Sequence, residues 1–194
     1  MRRAQLIDAT ITCISKHGIS GTTLTGVTKE AGLSLGLVNF HFKSKDALLT
    51  ETLNTLAAEH RELWMRAVKR DDLDATAKLS AIVDAQFHPR VCSRKKLSVW
   101  FAFYGEAEHR QAYRASSSHI DTERQEICAD LCRWIIEDGD YAGQDAEGIS
   151  VTLESLFDGF WLNMLMYPAK FTRDVAARQI MAYLATVFPK HFCA

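Results

Sequence analysis

Scarcity narrows this sequence first. Three prolines in 194 residues leave few enforced breaks, and no segment alternates Val, Ile or Thr with polar residues for long enough to suggest strands. No run approaches the roughly 20 apolar residues that a bilayer crossing needs. The opening Met-Arg-Arg-Ala-Gln-Leu-Ile-Asp lacks the long apolar core and small-residue cleavage site of a secretory signal, so a soluble, cytoplasmic protein with no membrane partner is expected. A Gly-rich phosphate loop, a His-Glu-x-x-His pair and a nucleophile elbow are all missing, and Glu106-Ala107-Glu108-His109 reads as a solvated helix end. Neither an enzyme nor a cofactor is expected. The five cysteines are odd in number and fall in helical patterns. Cys128 and Cys132 can share a helix face, yet no further Cys or His at ligand spacing completes a metal site, so reduced, buried thiols are expected.

What remains is helical periodicity, and the chain reads as all-α with about nine helices. Charge is unevenly spread. Residues 1–48 hold Arg2, Arg3, Lys16, Lys29, Lys43 and Lys45 against Asp8, Glu30 and Asp46, a net +3, which leaves −4 on the remainder. A basic end on an otherwise acidic chain points that end at a polyanion.

The stretch 23–42, Thr-Leu-Thr-Gly-Val-Thr-Lys-Glu-Ala-Gly-Leu-Ser-Leu-Gly-Leu-Val-Asn-Phe-His-Phe, is the one around which the rest is organised. Val27 and Ala31 make an apolar stripe, Gly32 permits the left-handed backbone that ends a helix, and Ser34 can cap a helix opening near Leu35. Thr23 is a candidate N-cap for the first of these helices, although Gly26 stands where a capping box would have Glu. Two short helices about a tight turn are a helix-turn-helix, whose second helix enters a DNA major groove, or else a plain packing unit.

The segment Gly32 to Leu48, with Thr22-Thr23-Leu24 and Val27 ahead of it, closely resembles the turn, recognition helix and start of the fourth helix of TetR-family repressors. That resemblance implies an N-terminal three-helix DNA-binding domain, 1–48, and a larger ligand-binding and dimerisation domain, 49–194. It further implies a homodimer through the last two helices, a double-stranded operator and a small-molecule inducer. Carried over by position, Thr25, Leu35, Gly36, Leu37, Asn39, Phe40, His41 and Lys45 fall where family members touch DNA. Asn39 suits an adenine edge, the apolar side chains suit thymine methyls, and Lys45, Arg2 and Arg3 suit phosphates. Two departures stand out. The family usually has Tyr where Asn39 stands, and Phe40-His41 puts an apolar ring where polar residues are common, with a core role for His41 as the competing reading.

Beyond the reader, a first helix over about 3–17 ends at Gly18, and a long helix from Ser44 runs to Asp71-Asp72. Aromatics crowd residues 93–108. Tyr113, Ile120, Ile127 and Trp134 recur every seven residues as one long core helix, and the last two helices, about 146–167 and 172–188, are apolar nearly all round. Arg2 to Thr10, Val99 to Tyr104 and Leu156 to Leu162 resemble the choline-sensing, BetI-type branch of the same family. That resemblance implies an inducer such as choline or a related quaternary ammonium. Trp100, Phe103 and Tyr104, spaced i, i+3, i+4, with Phe157 and Trp161, are then candidates for an aromatic cage acting by cation–π attraction, and Glu106 or Asp158 for added charge. Core packing is the competing reading of every ring. A ligand-binding or scaffold protein that has lost operator binding is the alternative function.

Overall fold

The computed structural model describes residues 2–192, with every side chain except those of 107–110, 112, 113 and 115–117. Nine helices and no strands occur among the described residues: α1 (Arg2–Gly21), α2 (Leu24–Ala31), α3 (Leu35–His41), α4 (Lys45–Val68), α5 (Ala75–Gln86), α6 (Arg94–Gly105), α7 (Ala107–Gly139), α8 (Ala146–Met166) and α9 (Arg173–Val187). Packing sorts them into two compact units. One runs to Ala58 and takes in Ser93–Ser118; the other comprises Glu59–Cys92 and the chain from His119 on. Residue 48 is therefore not where packing divides the chain, since the start of α4 and all of α6 group with the first three helices. Both α4 and α7 contribute to each unit. The sequence places Tyr113 in the α7 core stripe and Cys193 among the buried thiols; both positions lie outside the described residues.

In the first unit Leu6, Ile7, Ile11 and Ile14 of α1 are buried, and α1 packs on α2 and α6. Gly18 breaks the helix with φ 70° and ψ 177°, a conformation that costs glycine little, and one more turn follows to Gly21. The Lys45 ammonium donates to the carbonyl of Ile19, and the Thr22 hydroxyl to that of Gly18, so the orphan acceptors of this broken end are met by side chains.

The second unit holds the larger core: Leu79, Ile82 and Val83 of α5, Leu153 and Phe157 of α8, and Ile180 and Leu184 of α9 are all buried. The buried side of α7 runs through Arg124, Cys128, Cys132 and Ile135, steps of three and four residues. Trp134 is one position off that stripe and 70% exposed, so the heptad expectation fails there: a spacing of seven keeps a residue on one side of a helix without saying which side faces the core. Cys13, Cys92, Cys128 and Cys132 are free and buried, and burial pushes the thiols of Cys92 and Cys132 up to about 12. No helix among the described residues is long and apolar enough to cross a membrane.

Candidate functional site

The reader is built from local caps. Thr23 Oγ1 accepts from Gly26 N at 3.0 Å and starts α2 without the Glu of a capping box. At the other end Gly32 is left-handed (φ 63°), its N–H donates to Lys29 O at 3.3 Å, and Leu33 N donates to Thr28 O at 3.0 Å. That pair of bonds is a Schellman motif, and Gln5 Nε2 adds a third donor to the same helix end, on Ala31 O at 2.8 Å. Ser34 then caps α3 through Leu37 N, and Ser44 caps α4 through Ala47 N at 3.1 Å. Val27, Val38 and Phe42 are buried beneath, which fixes which side of α3 faces outward.

That outward side carries Leu35 (46% exposed), Gly36, Asn39 and Phe40 (81% exposed), while Leu37 and His41 are half-buried. Thr25 is exposed on α2. A Cβ on Gly36 would meet nothing nearer than Ser34 Oγ at 4.0 Å, so the packing of the chain itself does not demand glycine there. The His41 ring packs edge-on against Phe40, centroids 5.1 Å apart, and lies 6.3 Å from Phe42.

Most cations near the reader are committed within the protein. Arg3 pairs with Glu51 at 2.8 Å and lies over the Phe42 ring, Lys16 pairs with Glu30 at 2.9 Å, and Arg2 donates to Gln5 at 3.2 Å. The Lys16 ammonium holds the Glu30 carboxyl below its ordinary range. The side chains of Lys29 and Lys43 are exposed and make no hydrogen bond or ion pair among the described residues.

The second unit contains a buried polar cluster that the sequence reading missed. His60 Nε2 lies 2.9 Å from Gln86 Oε1, and Trp161 Nε1 donates to the Gln86 carbonyl at 2.9 Å, with the His60 and Trp161 rings 5.3 Å apart. Burial, and then the Arg124 charge, push His60 down to about 3, so it is a neutral imidazole donating to the amide oxygen. Arg124 itself is buried and forks onto Glu154, with Asp121 at 3.2 Å. Three buried nitrogens, Trp64 Nε1, Gln86 Nε2 and Arg124 Nη1, find no acceptor among the described residues. Asp158 sits on the exposed side of α8, but solvent loss around its carboxyl and the nearby Glu154 push it up to about 6, with Arg124 opposing. The one sequence signal for this cluster was a His and a Trp four residues apart on α4, a spacing equally common in plain cores.

The candidate cage residues divide between the units. Trp100 and Phe103 are buried and Tyr104 half-buried on α6 in the first, with Tyr104 edge-on to Phe101 at 5.4 Å. Phe157 and Trp161 are buried on α8 in the second, where Phe157 meets Phe87 edge-on at 6.2 Å. Glu106 ends α6 and accepts from the Ser20 hydroxyl at 3.0 Å. The second unit also has an open groove of about 760 Å³ in which Trp134 stands with Leu73, Leu131, Asp74 and Asp130.

Comparison with known proteins covers most of the chain. Residues 6–52 match the family of bacterial regulatory proteins named for TetR, and residues 75–189 match the C-terminal region of BetI-type transcriptional repressors. The BetI regulator of Paraburkholderia xenovorans is 33% identical over 192 residues, 96% of this chain and 93% of that one. A transcriptional regulator of Pseudomonas aeruginosa PAO1 superposes with a TM-score of 0.81 at 30% identity, covering 96% and 90% of the two chains. A regulator from Saccharomonospora viridis, solved in complex with choline, shares the fold at 18% identity with a TM-score of 0.71 over 94% of each chain. With a capped helix-turn-helix at one end and a BetI-type body after it, the chain belongs to the TetR family of ligand-responsive transcriptional regulators.

Proposed function

We propose that the chain is a dimeric repressor that reads a palindromic operator with α3 and is released when choline or a related quaternary ammonium binds its body. The observation that carries the reading is the capped α2–turn–α3 unit with Asn39 and Phe40 turned outward, in a chain whose BetI relatives match it over most of its length. Leu35, Gly36, Leu37, Asn39 and Phe40 serve the groove, and His41 supports the Phe40 ring from behind. Thr25, Arg2 and Lys45 serve the phosphates, Lys45 with the ammonium protons left over from Ile19, while Arg3 braces the start of α4 through Glu51.

The dimer forms through α8 and α9. Val151, Leu162 and Met166 are 45–59% exposed on the same side of α8 as Ser155 and Gly159, and a Cβ on Gly159 would meet nothing within 4 Å. An apolar side chain left out on a helix as hydrophobic as α8 is what a partner helix covers. A regulator that acts on chromosomal DNA works in the cytoplasm.

For the effector, the candidate rings are Phe157 and Trp161 on α8 in the second unit and, as a separate set, Trp100, Phe103 and Tyr104 on α6 in the first, each ring contributing about 0.5–2 kcal/mol to a quaternary ammonium. The excess of carboxylates about Arg124 favours a cation, and the unpartnered nitrogens of Trp64, Gln86 and Arg124 favour an effector that also carries an acceptor oxygen, as choline does. Release requires that choline bind the two conformations unequally. The test is titration of the full chain against a fluorescent fragment of its own upstream DNA, with and without choline, at fixed salt. Tight binding that choline abolishes is expected; binding indifferent to choline would remove the ligand assignment, and no binding at all would remove the repressor.

A further inference from the structure

α3 runs Leu-Gly-Leu-Val-Asn-Phe-His and contains neither arginine nor lysine. That absence has a chemical meaning in the major groove. Guanine offers two acceptors there, N7 and O6, and its commonest specific reader is a bidentate Arg or Lys. Adenine offers an acceptor beside a donor and is matched by the amide of Asn or Gln, and thymine shows a methyl group that takes apolar contact. The exposed set on α3 is one amide, Asn39, between two large apolar side chains, Leu35 and Phe40.

Phe40 is the most exposed large hydrophobic side chain among the described residues. A single exposed apolar residue is ordinary on a protein surface; this one is on the helix that faces DNA, and it is held in place. The His41 ring lies edge-on against it, and His41 in turn neighbours the buried Phe42. Of the nearby cations, Lys45 is on the Ile19 carbonyl and Arg3 and Lys16 are in ion pairs; Lys29 on α2 and Lys43, two residues past the end of α3, are exposed but lie outside the reading helix.

Resting on the operator-binding reading above, we infer that this protein reads its half-sites through thymine methyls and adenine edges, by Phe40, Leu35 and Asn39, and takes no direct information from guanine N7. The bases under α3 are therefore A·T pairs, with thymine at the position beneath Phe40. Guanines elsewhere in the operator are carried along by spacing and shape.

The test uses the full-length chain and duplexes it enriches from a randomised pool. The enriched duplexes are remade with deoxyuridine for thymidine, with 7-deazadeoxyadenosine for deoxyadenosine, or with 7-deazadeoxyguanosine for deoxyguanosine. Uracil and 7-deazaadenine are each expected to weaken binding by about tenfold or more, the scale of one lost groove contact, and 7-deazaguanine by less than about twofold. Phe40→Ala, at an exposed site and with its fold checked by circular dichroism, is expected to bind the thymine duplex more weakly and to lose most of the penalty for uracil. Equal affinity for thymine and uracil duplexes would overturn the inference and leave the repressor standing, as would a tenfold loss with 7-deazaguanine. Failure to enrich any duplex would overturn both.

Discussion

The Lys45 ammonium lies 2.8 Å from the carbonyl oxygen of Ile19, where it closes the end of α1 against the start of α4. It thus has a structural task before any DNA arrives. Lys45→Met should lower the stability of the protein to urea by about 1 kcal/mol, the ordinary net value of one hydrogen bond. If its remaining protons also reach a phosphate, the salt dependence of operator binding should fall by about 0.9 in slope for each subunit. A variant as stable as the wild type would deny the capping role, and an unchanged slope would deny the phosphate contact.

His60 is expected to make the protein acid-sensitive. Unfolded, the imidazole takes up a proton near pH 6.5; folded, it resists until about 3. Its contribution is fully present above pH 6.5 and is lost as the pH falls from there toward 3, because the unfolded chain binds the proton first. Between pH 7 and pH 5 the loss amounts to about 2 kcal/mol. Urea midpoints measured across that range should show it. His60→Gln, which can still donate to Gln86 but does not titrate, should flatten the dependence, and a slope unaltered by the substitution would assign the acid sensitivity elsewhere.

Leu162→Glu places a charge in the middle of the exposed apolar side of α8, where Leu162 is 45% exposed. Its fold should survive, since the side chain is not part of the core. Sedimentation equilibrium at micromolar concentration should report a monomer, and operator affinity should fall because two half-sites are no longer held together. A stable dimer in this variant would move the interface to another surface.

Four tryptophans divide sharply by environment: Trp64, Trp100 and Trp161 are buried, and Trp134 is 70% exposed. Trp134→Phe should blue-shift the emission and remove most of the fraction that acrylamide quenches, with little change in stability. By contrast, Trp100→Ala should cost about 3–5 kcal/mol through the cavity it leaves. Loss of choline response in that variant must therefore be read against its stability, and Trp100→Phe is the better probe of a cage.

How far the sequence reached can be judged residue by residue. Thr23, Gly32 and Ser34 are legible as caps from their neighbours alone, because a cap answers to hydrogen bonds only three or four residues away, and all three sit at helix ends as expected. The helix order was equally available, since a periodic apolar stripe is a local property of the chain. Reading was poorest where a side chain's role depends on distant segments. Nothing in the order of residues tells that Lys45 is on Ile19, that His60, Gln86 and Trp161 meet inside one unit, or that Trp134 is left outside while Cys128 and Cys132 are buried. Sequence by itself determined the all-helical class, the helix-turn-helix and its punctuation, and the family. Tertiary structure alone decided which side of α3, α7 and α8 faces solvent and which buried donors lack acceptors, because burial is settled by packing between helices far apart in the chain and not by periodicity within one of them.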